Sequence, residues 1–353
     1  MDRSKHAGRT RVRNAVRQLA AVFALAVAMT ATAQSCLGDL NADRAVTGAD
    51  LGILLGQWGQ TGNGDLDGNG IVGGADLGLL LGVWGACPVT VPSWATLVEA
   101  NPNPTVVTDV TLRAAISASG LAWRVRDTAT QMEMLLVPEG TLTMGCTFLT
   151  NLFGCYPDEI PTHSVTLTQA FYLGRYEVTQ GQWVARMGSN PSYWQGYSDS
   201  ANRPVEQVSW DTIQGYLSAT GMRLPSEAEW EYACRAGTTT WFHNGSNDGN
   251  NVGTIAWYSS NSGGQTHTVG GKAANALGLH DMSGNVWECV NDWWGGYSSS
   301  AQTNPVGPVS GTYRVHRGGS WINDSVVARS SSRSNSTPDT SSYVRGFRVA
   351  RAP

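Results

Sequence analysis

Residues 39–58 return at 65–84, 26 positions further on and in register. The first copy reads Gly38-Asp-Leu-Asn-Ala-Asp43 with Gly48-Ala-Asp50, and the second Gly64-Asp-Leu-Asp-Gly-Asn69 with Gly74-Ala-Asp76. Counting Asp39 as position 1 puts Asn41, Asp43, Ala45, Thr47 and Asp50 at positions 3, 5, 7, 9 and 12. The second copy gives Asp65, Asp67, Asn69, Ile71, Gly73 and Asp76. Side-chain oxygens at positions 1, 3, 5 and 12, with a backbone carbonyl at 7, form an oxygen cage for calcium. Position 6 must turn sharply, which Gly70 does at little cost and Arg44 does not, so the second loop is expected to bind more tightly.

Each loop feeds a short helix with Leu51, Leu54, Leu55 and Trp58, or Leu77, Leu80, Leu81 and Trp84, at helical spacing on one face. Those residues are expected to be core. Gly52, Gly56, Gly78 and Gly82 lie inside the helices, each costing about 1 kcal/mol relative to alanine. Such helices need metal and mutual packing to persist. From Cys36 to Cys87 one arginine faces six aspartates, so the unit also needs cations to relieve repulsion. Cys36 and Cys87 bracket it, and closing a loop of this length would contribute ~4 kcal/mol.

The N-terminus carries Arg3, Lys5, Arg9, Arg11, Arg13 and Arg17, then an apolar run from Leu19 to Met29, then Ala31-Thr32-Ala33. That is the grammar of a secretory signal peptide over residues 1–33, and the run is well short of the ~20 residues of a membrane span. Its removal takes away six basic groups and Asp2, moving the formal charge from -4 to -9. An acidic protein without a basic stripe is not expected to bind nucleic acid or an anionic membrane. No membrane span is expected after cleavage. Export to the periplasm, cell surface or medium permits disulfides. The six cysteines fall into neighbours, Cys36 with Cys87, Cys146 with Cys155, and Cys234 with Cys289, a preference among fifteen connectivities. Free buried thiols remain the alternative for Cys234 and Cys289.

The duplicated unit resembles a type I dockerin, a small all-α, EF-hand-like calcium module that docks a protein partner. Gly48 and Gly73-Gly74 leave bare the places where dockerins commonly present Ser or Thr, so a structural calcium repeat or surface attachment is an equal expectation. Further on come Met134-Leu-Leu-Val-Pro-Glu-Gly140, Asp158-Glu-Ile-Pro-Thr-His163, Pro204-Val-Glu-Gln-Val-Ser-Trp210 and Arg223-Leu-Pro-Ser-Glu-Ala-Glu-Trp-Glu-Tyr-Ala233. Gly278-Leu-His-Asp-Met-Ser-Gly-Asn-Val-Trp-Glu288, Arg317-Gly-Gly-Ser-Trp321 and Gly346-Phe-Arg-Val-Ala-Arg351 follow. In this order they resemble the formylglycine-generating enzyme (sulfatase-modifying factor) family, which implies a loop-rich, α+β, C-type lectin-like fold.

In oxidases of that family, two cysteines five positions apart after Gly-Gly-Ser bind copper and attack the substrate cysteine. Here Asn323 and Ala328 stand there, and no cysteine follows Cys289. Neither an amide nor a methyl replaces a thiolate, so no catalytic residue and no copper are expected. Arg317, Ser320 and Trp321 keep the frame of a pocket. The family's pairing of the Cys234 position is with a cysteine where Val349 stands here. The resemblance also implies a calcium site on Asp281 and Glu288 with the Gly284 and Val286 carbonyls. A second, weaker one would use Asn251, the Val252 carbonyl and Asn261. Capping or ion pairing is the alternative for Asp281 and Glu288, and turn formation is the role expected of Asn251 and Asn261 ahead of metal binding.

His163, His243, His267, His280 and His316 show no metal-binding spacing. The serines at 330–336 lack a hydrolase elbow. Most tryptophans, Trp257, Trp287, Trp293, Trp294 and Trp321 included, are expected in the core. The expected organisation is a dockerin-like unit over 36–87, a proline-bearing linker over 88–122 with one helix near Leu112–Ser117, and the large domain over 123–353. The function expected is that of an exported, calcium-stabilised binding or accessory protein with a peptide or glycan ligand on the large domain. A divergent oxidase forming formylglycine in sulfatases is the alternative.

Overall fold

The computed structural model describes residues 36–41, 43–147 and 154–353; the signal segment read over 1–33 lies outside the described residues. In the repeats, β1 (Ala45–Val46) pairs antiparallel with β2 (Gly85–Ala86) and so ties the first loop to the end of the unit. Between them run two helices of nine residues, α1 (Gly48–Gly56) and α2 (Gly74–Gly82). Thr47 caps α1, and the Asp50 and Asp76 side chains reach back to the N–H groups of Thr47 and Gly73. A small core of Val46, Leu54, Val72 and Leu80 is completely buried. The apolar stripes are only half core, however. Leu51 and Leu77 pack partly against it, while Leu55, Trp58, Leu81 and Trp84 are each about half exposed.

The segment read as a linker is folded instead. β3 (Ala95–Glu99) pairs antiparallel with β4 (Arg124–Asp127). Next, α3 (Val110–Ala118) starts where Asp109 accepts the Leu112 N–H. Val107, Ile116 and Ala122 enter the main core. The prolines flank these elements without interrupting them.

β4 pairs with β5 (Glu133–Val137), and the three-stranded sheet is built by β6 (Gly140–Met144), β7 (His163–Leu167) and β10 (Gln302–Thr303). The run Met134-Leu-Leu-Val137 is buried throughout because β5 lies between β4 and β8 (Phe171–Gly174) and is covered on both faces. Three helices begin at reciprocal caps. Thr179 and Gln182 open α4 (Gln180–Met187), Ser209 and Thr212 open α5 (Trp210–Thr220), and Ser226 and Glu229 open α6 (Glu227–Arg235). The first two end at Gly188 and Gly221 in the left-handed region. The third ends at Ala236, whose φ is +46°, one residue before Gly237.

A four-stranded sheet holds β9 (Trp287–Trp293) between β11 (Arg314–Arg317) and β13 (Arg345–Phe347), with β12 (Arg333–Ser336) at its edge. The Gly346-Phe-Arg-Val-Ala-Arg351 run divides between sheets: β13 belongs to this one, and β14 (Ala350–Arg351) pairs with β8 in the five-stranded one. Between them the fully buried Arg348 binds Glu288 of β9 and the Gly174 carbonyl at the end of β8, stapling the two sheets.

Cys36–Cys87 and Cys146–Cys155 are bonded. Cys234 and Cys289 are not, correcting the third sequence-adjacent pairing. Cys234 Sγ on α6 is directed at the Met282 carbonyl and Ser330 Oγ, whereas Cys289 sits in the centre of β9 between His316 and Phe347.

Candidate functional site

β11 runs into Gly318 and Gly319, both with positive φ. A Cβ at Gly319 would press the Val327 carbonyl at 3.0 Å, so only glycine lets the chain turn here against the following segment. Ser320 then donates from both N and Oγ to Asn323 Oδ1, at 3.0 and 2.7 Å. The Trp321 N–H donates to the Asn285 carbonyl, and Ser262 Oγ donates to the Trp321 carbonyl. The first of the two positions where the family's oxidases place cysteine is therefore an amide acting as acceptor for Ser320. The second, Ala328, is a buried methyl packed with Trp241, Phe242, Val252, Ile255 and Ala256.

The two free thiols among the described residues are fully buried elsewhere. Burial pushes Cys234 up to about 11 and Cys289 up to about 12, so neither forms a thiolate at neutral pH. Arg317 is not part of an open pocket. It is completely buried, ion-paired with Glu231, and donates to the carbonyls of Ser330, Ser331 and Ser332. Its work is to hold the serine run in place.

Ser320 and Trp321 border an aromatic surface. Trp321 meets Trp194 edge-on at 5.6 Å and Tyr343 at 5.8 Å, and Tyr193 and Tyr197 extend the group. Tyr193 is 65% exposed, with Tyr197 and Tyr343 each about 43%. Beneath them the buried Glu206 accepts the Trp194 N–H through Oε1 and leaves Oε2 without a partner. Burial raises its carboxyl to about 7. None of Tyr193, Tyr197, Tyr343 and Glu206 stands out in the sequence, because only the fold gathers them beside Trp321.

On the other side of Asn285 lies a group of buried carboxyls. Asp281 Oδ2 accepts the Gly270 N–H, while Oδ1 is fully buried with no partner. Glu177 accepts from Asn285 Nδ2 and from the Val286 N–H. Burial drives Glu177 well up, with Asp281 and Glu288 adding to it, and takes Asp281 to about 6. Arg348 is the cation among them, and it is committed to Glu288 at 2.5 and 2.7 Å, which Trp230 Nε1 also contacts at 2.6 Å. Glu288 thus makes the ion pair that was the alternative to its calcium role. Gly284 and Val286 hold the turn: at Gly284 (φ +80°) a Cβ would strike the Trp257 carbonyl. Glu177, which precedes the α4 cap, carries no local signal of its place here.

Of the weaker set, Asn261 Oδ1 accepts the Tyr258 N–H and its Nδ2 donates to the Ala256 carbonyl. The Val252 carbonyl takes the N–H groups of Ile255 and Ala256, and the Asn251 carbonyl takes Thr254 Oγ1. These residues make turns.

In the second repeat loop three of the expected ligands, Asp65, Asp67 and Asp76, are brought together. Asp65 Oδ1 accepts from the N–H groups of Gly68 and Asn69, and its Oδ2 from Gly70. Ligand oxygens of Asp65, Asp67 and Asp76 lie within 4.8 Å of one another. In the first loop Asp39 accepts from Asp43 and Arg44, Asn41 from Asp43, and Asp43 from Ala45. Asp50 accepts from Leu40, Asn41 and Thr47. Asp50 and Asp76 are held below the usual carboxylate range. For Asp50, N–H donors outweigh burial; for Asp76, the Asp67 N–H is the largest influence. Arg44 has φ +68° where Gly70 has +95°.

Mouse formylglycine-generating enzyme is 37% identical to this chain over 188 residues, covering 48% of the chain and 50% of that protein. The chain thus spans about half the length of the mouse relative. The chaperone protein LppX of Paenibacillus barcinonensis is 31% identical over 247 residues, covering 54% of this chain and 82% of its own length. Among solved structures, Treponema denticola variable protein 1 superposes with a TM-score of 0.57 at 29% identity, over 63% of this chain and 95% of that one. Residues 122–353 match the family described as "Sulfatase-modifying factor enzyme 1-like domain", and the chain belongs to that family.

Proposed function

We propose that this protein is an exported binding or accessory protein whose formylglycine-generating-enzyme-like domain has no copper-thiolate chemistry. The observation that carries this reading is the turn after Gly319. Asn323 spends its oxygen on Ser320, Ala328 is core, and the free thiols are buried with raised pKa values. Without a thiolate the site lacks both the soft copper ligand and the nucleophile. What remains is the exposed aromatic surface around Trp194, Trp321 and Tyr343, suited to a peptide or glycan ligand. That family members are named both as a formylglycine-generating enzyme and as a chaperone agrees with a fold that hosts more than one function.

Calcium is proposed at the two repeat loops and beside Asp281. Glu177 and Asp281 are buried beside Glu288, which claims the Arg348 guanidinium, and a dication would stabilise their ionised forms. The unpartnered Asp281 Oδ1 fits such an ion, with Glu177 beside it and the turn carbonyls of Gly284 and Val286 as further oxygens. Calcium would supply charge and cross-linking there. The half-exposed Leu55, Trp58, Leu81 and Trp84 support attachment of the dockerin-like repeats to a protein partner. Two disulfides and the lack of a membrane-crossing helix among the described residues are consistent with export.

The alternative, a divergent oxidase acting on a sulfatase cysteine, draws on the 37% identity to the mouse enzyme and on the retained Ser320. Incubation with copper, reductant, oxygen and a Cys-x-Pro-x-Arg peptide, followed by mass spectrometry, separates the two. No aldehyde is expected. Turnover to aldehyde would overturn the binding reading.

A further inference from the structure

A second cleft, of about 310 Å³, lies away from the Ser320 turn, between the start of β7, the first turn of α6, the end of β9 and the loop Pro305–Pro308. Two nearly buried polar side chains in its wall each keep one atom unused. His163, 5% exposed, donates from Nδ1 to the Pro161 carbonyl at 3.3 Å, which leaves Nε2 an acceptor with no partner. Asp292, 3% exposed, accepts the Glu227 N–H at Oδ2 and has no partner at Oδ1. Burial, with Glu227 adding to it, raises Asp292 to about 8, so at neutral pH it holds a proton to donate.

The other charges in the wall cancel. Arg333 Nε and one terminal nitrogen grip Glu227 at 2.6 and 2.8 Å, and the other terminal nitrogen donates to the Asp158 carbonyl. Tyr297 donates its hydroxyl to Glu227. The cleft thus presents a donor, an acceptor and the Gln302 amide among Met144, Pro305 and Pro308, with no free ion to meet a charged ligand. An anion would find the guanidinium already occupied, and a cation would find a protonated acid.

We propose that this cleft is a binding site for a neutral, hydroxyl-rich small molecule of pyranose size, with one hydroxyl donating to His163 Nε2 and another accepting from Asp292. Hydroxyls serve both roles at once, and the volume is at the small end of ligand sites.

The test is saturation-transfer NMR and calorimetry on the full chain, with methyl glucoside, galactoside and mannoside, myo-inositol, and the charged comparators glucuronate and glucosamine. At least one neutral probe is expected to bind and both charged ones to fail. His163→Ala and Asp292→Ala are each expected to weaken binding roughly ten-fold, as for one lost hydrogen bond. Gln302→Ala, whose side chain makes no hydrogen bond among the described residues, gives the same reading should the Asp292 variant not fold. Failure of every neutral probe overturns the proposal. So does binding that survives all three substitutions, or that is lost in Trp321→Ala instead, which would assign it to the aromatic surface. None of these outcomes depends on copper oxidation.

Discussion

The repeats and the large domain bury carboxylates in opposite ways. In the repeats, Asp50 and Asp76 are each wrapped by backbone N–H groups from their own loop, which hold them as anions. In the large domain Glu177 and Asp281 are buried with too few donors and a guanidinium already claimed by Glu288, so they are pushed toward their neutral forms. A loop of twelve residues can carry its own donors, because they are neighbours in sequence. A site assembled from β9, the α4 cap and the 281–286 turn depends on what the tertiary fold brings.

The largest effect that this contrast predicts is at Arg348. Arg348→Met removes the cation between the two sheets and leaves three buried carboxyls together, at a cost of about 3–5 kcal/mol as for breaking a buried pair. Asp50→Ala in the repeats strips backbone N–H groups of their acceptor and should cost less, about 1–3 kcal/mol. Urea denaturation of both variants ranks them. The reverse order would mean that the guanidinium is not what stabilises the carboxyl group.

Asp281→Asn sharpens the comparison, because the sign of its effect should depend on calcium. With chelator present it removes an uncompensated buried charge and should stabilise by about 1–3 kcal/mol at pH 7 or above. With calcium in excess it removes a ligand, and the gain should vanish or reverse. Thermal melts of both proteins in both conditions give the answer, and the same sign in each would remove calcium from this site.

The pH profile should split in the same way. Asp281 is raised from its ordinary 3.8 to about 6, so without calcium its contribution is full below pH 3.8 and lost as pH rises through about 6. Glu206 and Asp292, raised to about 7 and about 8, act in the same direction. Asp50 and Asp76 are lowered, so their contribution is present above the ordinary carboxylate value and lost as pH falls below it. Amide exchange read separately over 36–87 and 123–353 should show protection falling with rising pH in the large domain and with falling pH in the repeats. Parallel profiles would contradict the contrast.

The same difference explains what the sequence could disclose. The loop aspartates, the helix caps at Thr179, Ser209 and Ser226, and the family motifs are local patterns, each set by residues close together in sequence. Glu177 and the Tyr193–Tyr343 surface are not local, since each takes its role from a partner more than a hundred residues away, and Glu206 matters only because the fold buries it beneath that surface. Arg317 misled for the reverse reason. Its place beside Gly318 suggested a pocket, yet the fold turns its guanidinium inward to Glu231. The exposed Leu55 and Leu81 show that helical spacing marks a face without showing how much of it a short partner covers.

The smallest expected effect lies within the repeats, whose loops differ at position 6. Arg44 holds φ +68° against the preference of a residue with a side chain, whereas Gly70 reaches +95° freely. Relieving this strain is worth about 1–2 kcal/mol. Arg44 also donates from its guanidinium to the Pro88 carbonyl at 3.0 Å, an exposed bond whose loss offsets part of the gain. Arg44→Gly should therefore tighten calcium at the first loop by a few-fold and bring it toward the second, while Gly70→Ala should weaken the second by more, having no compensating contact to keep. Calorimetric titration of calcium into the two variants measures both shifts. If Arg44→Gly leaves the weaker constant where it was, backbone strain at position 6 is not what separates the loops, and the difference lies in the other side-chain ligand positions at which they differ: Asn41 against Asp67, Asp43 against Asn69 and Thr47 against Gly73.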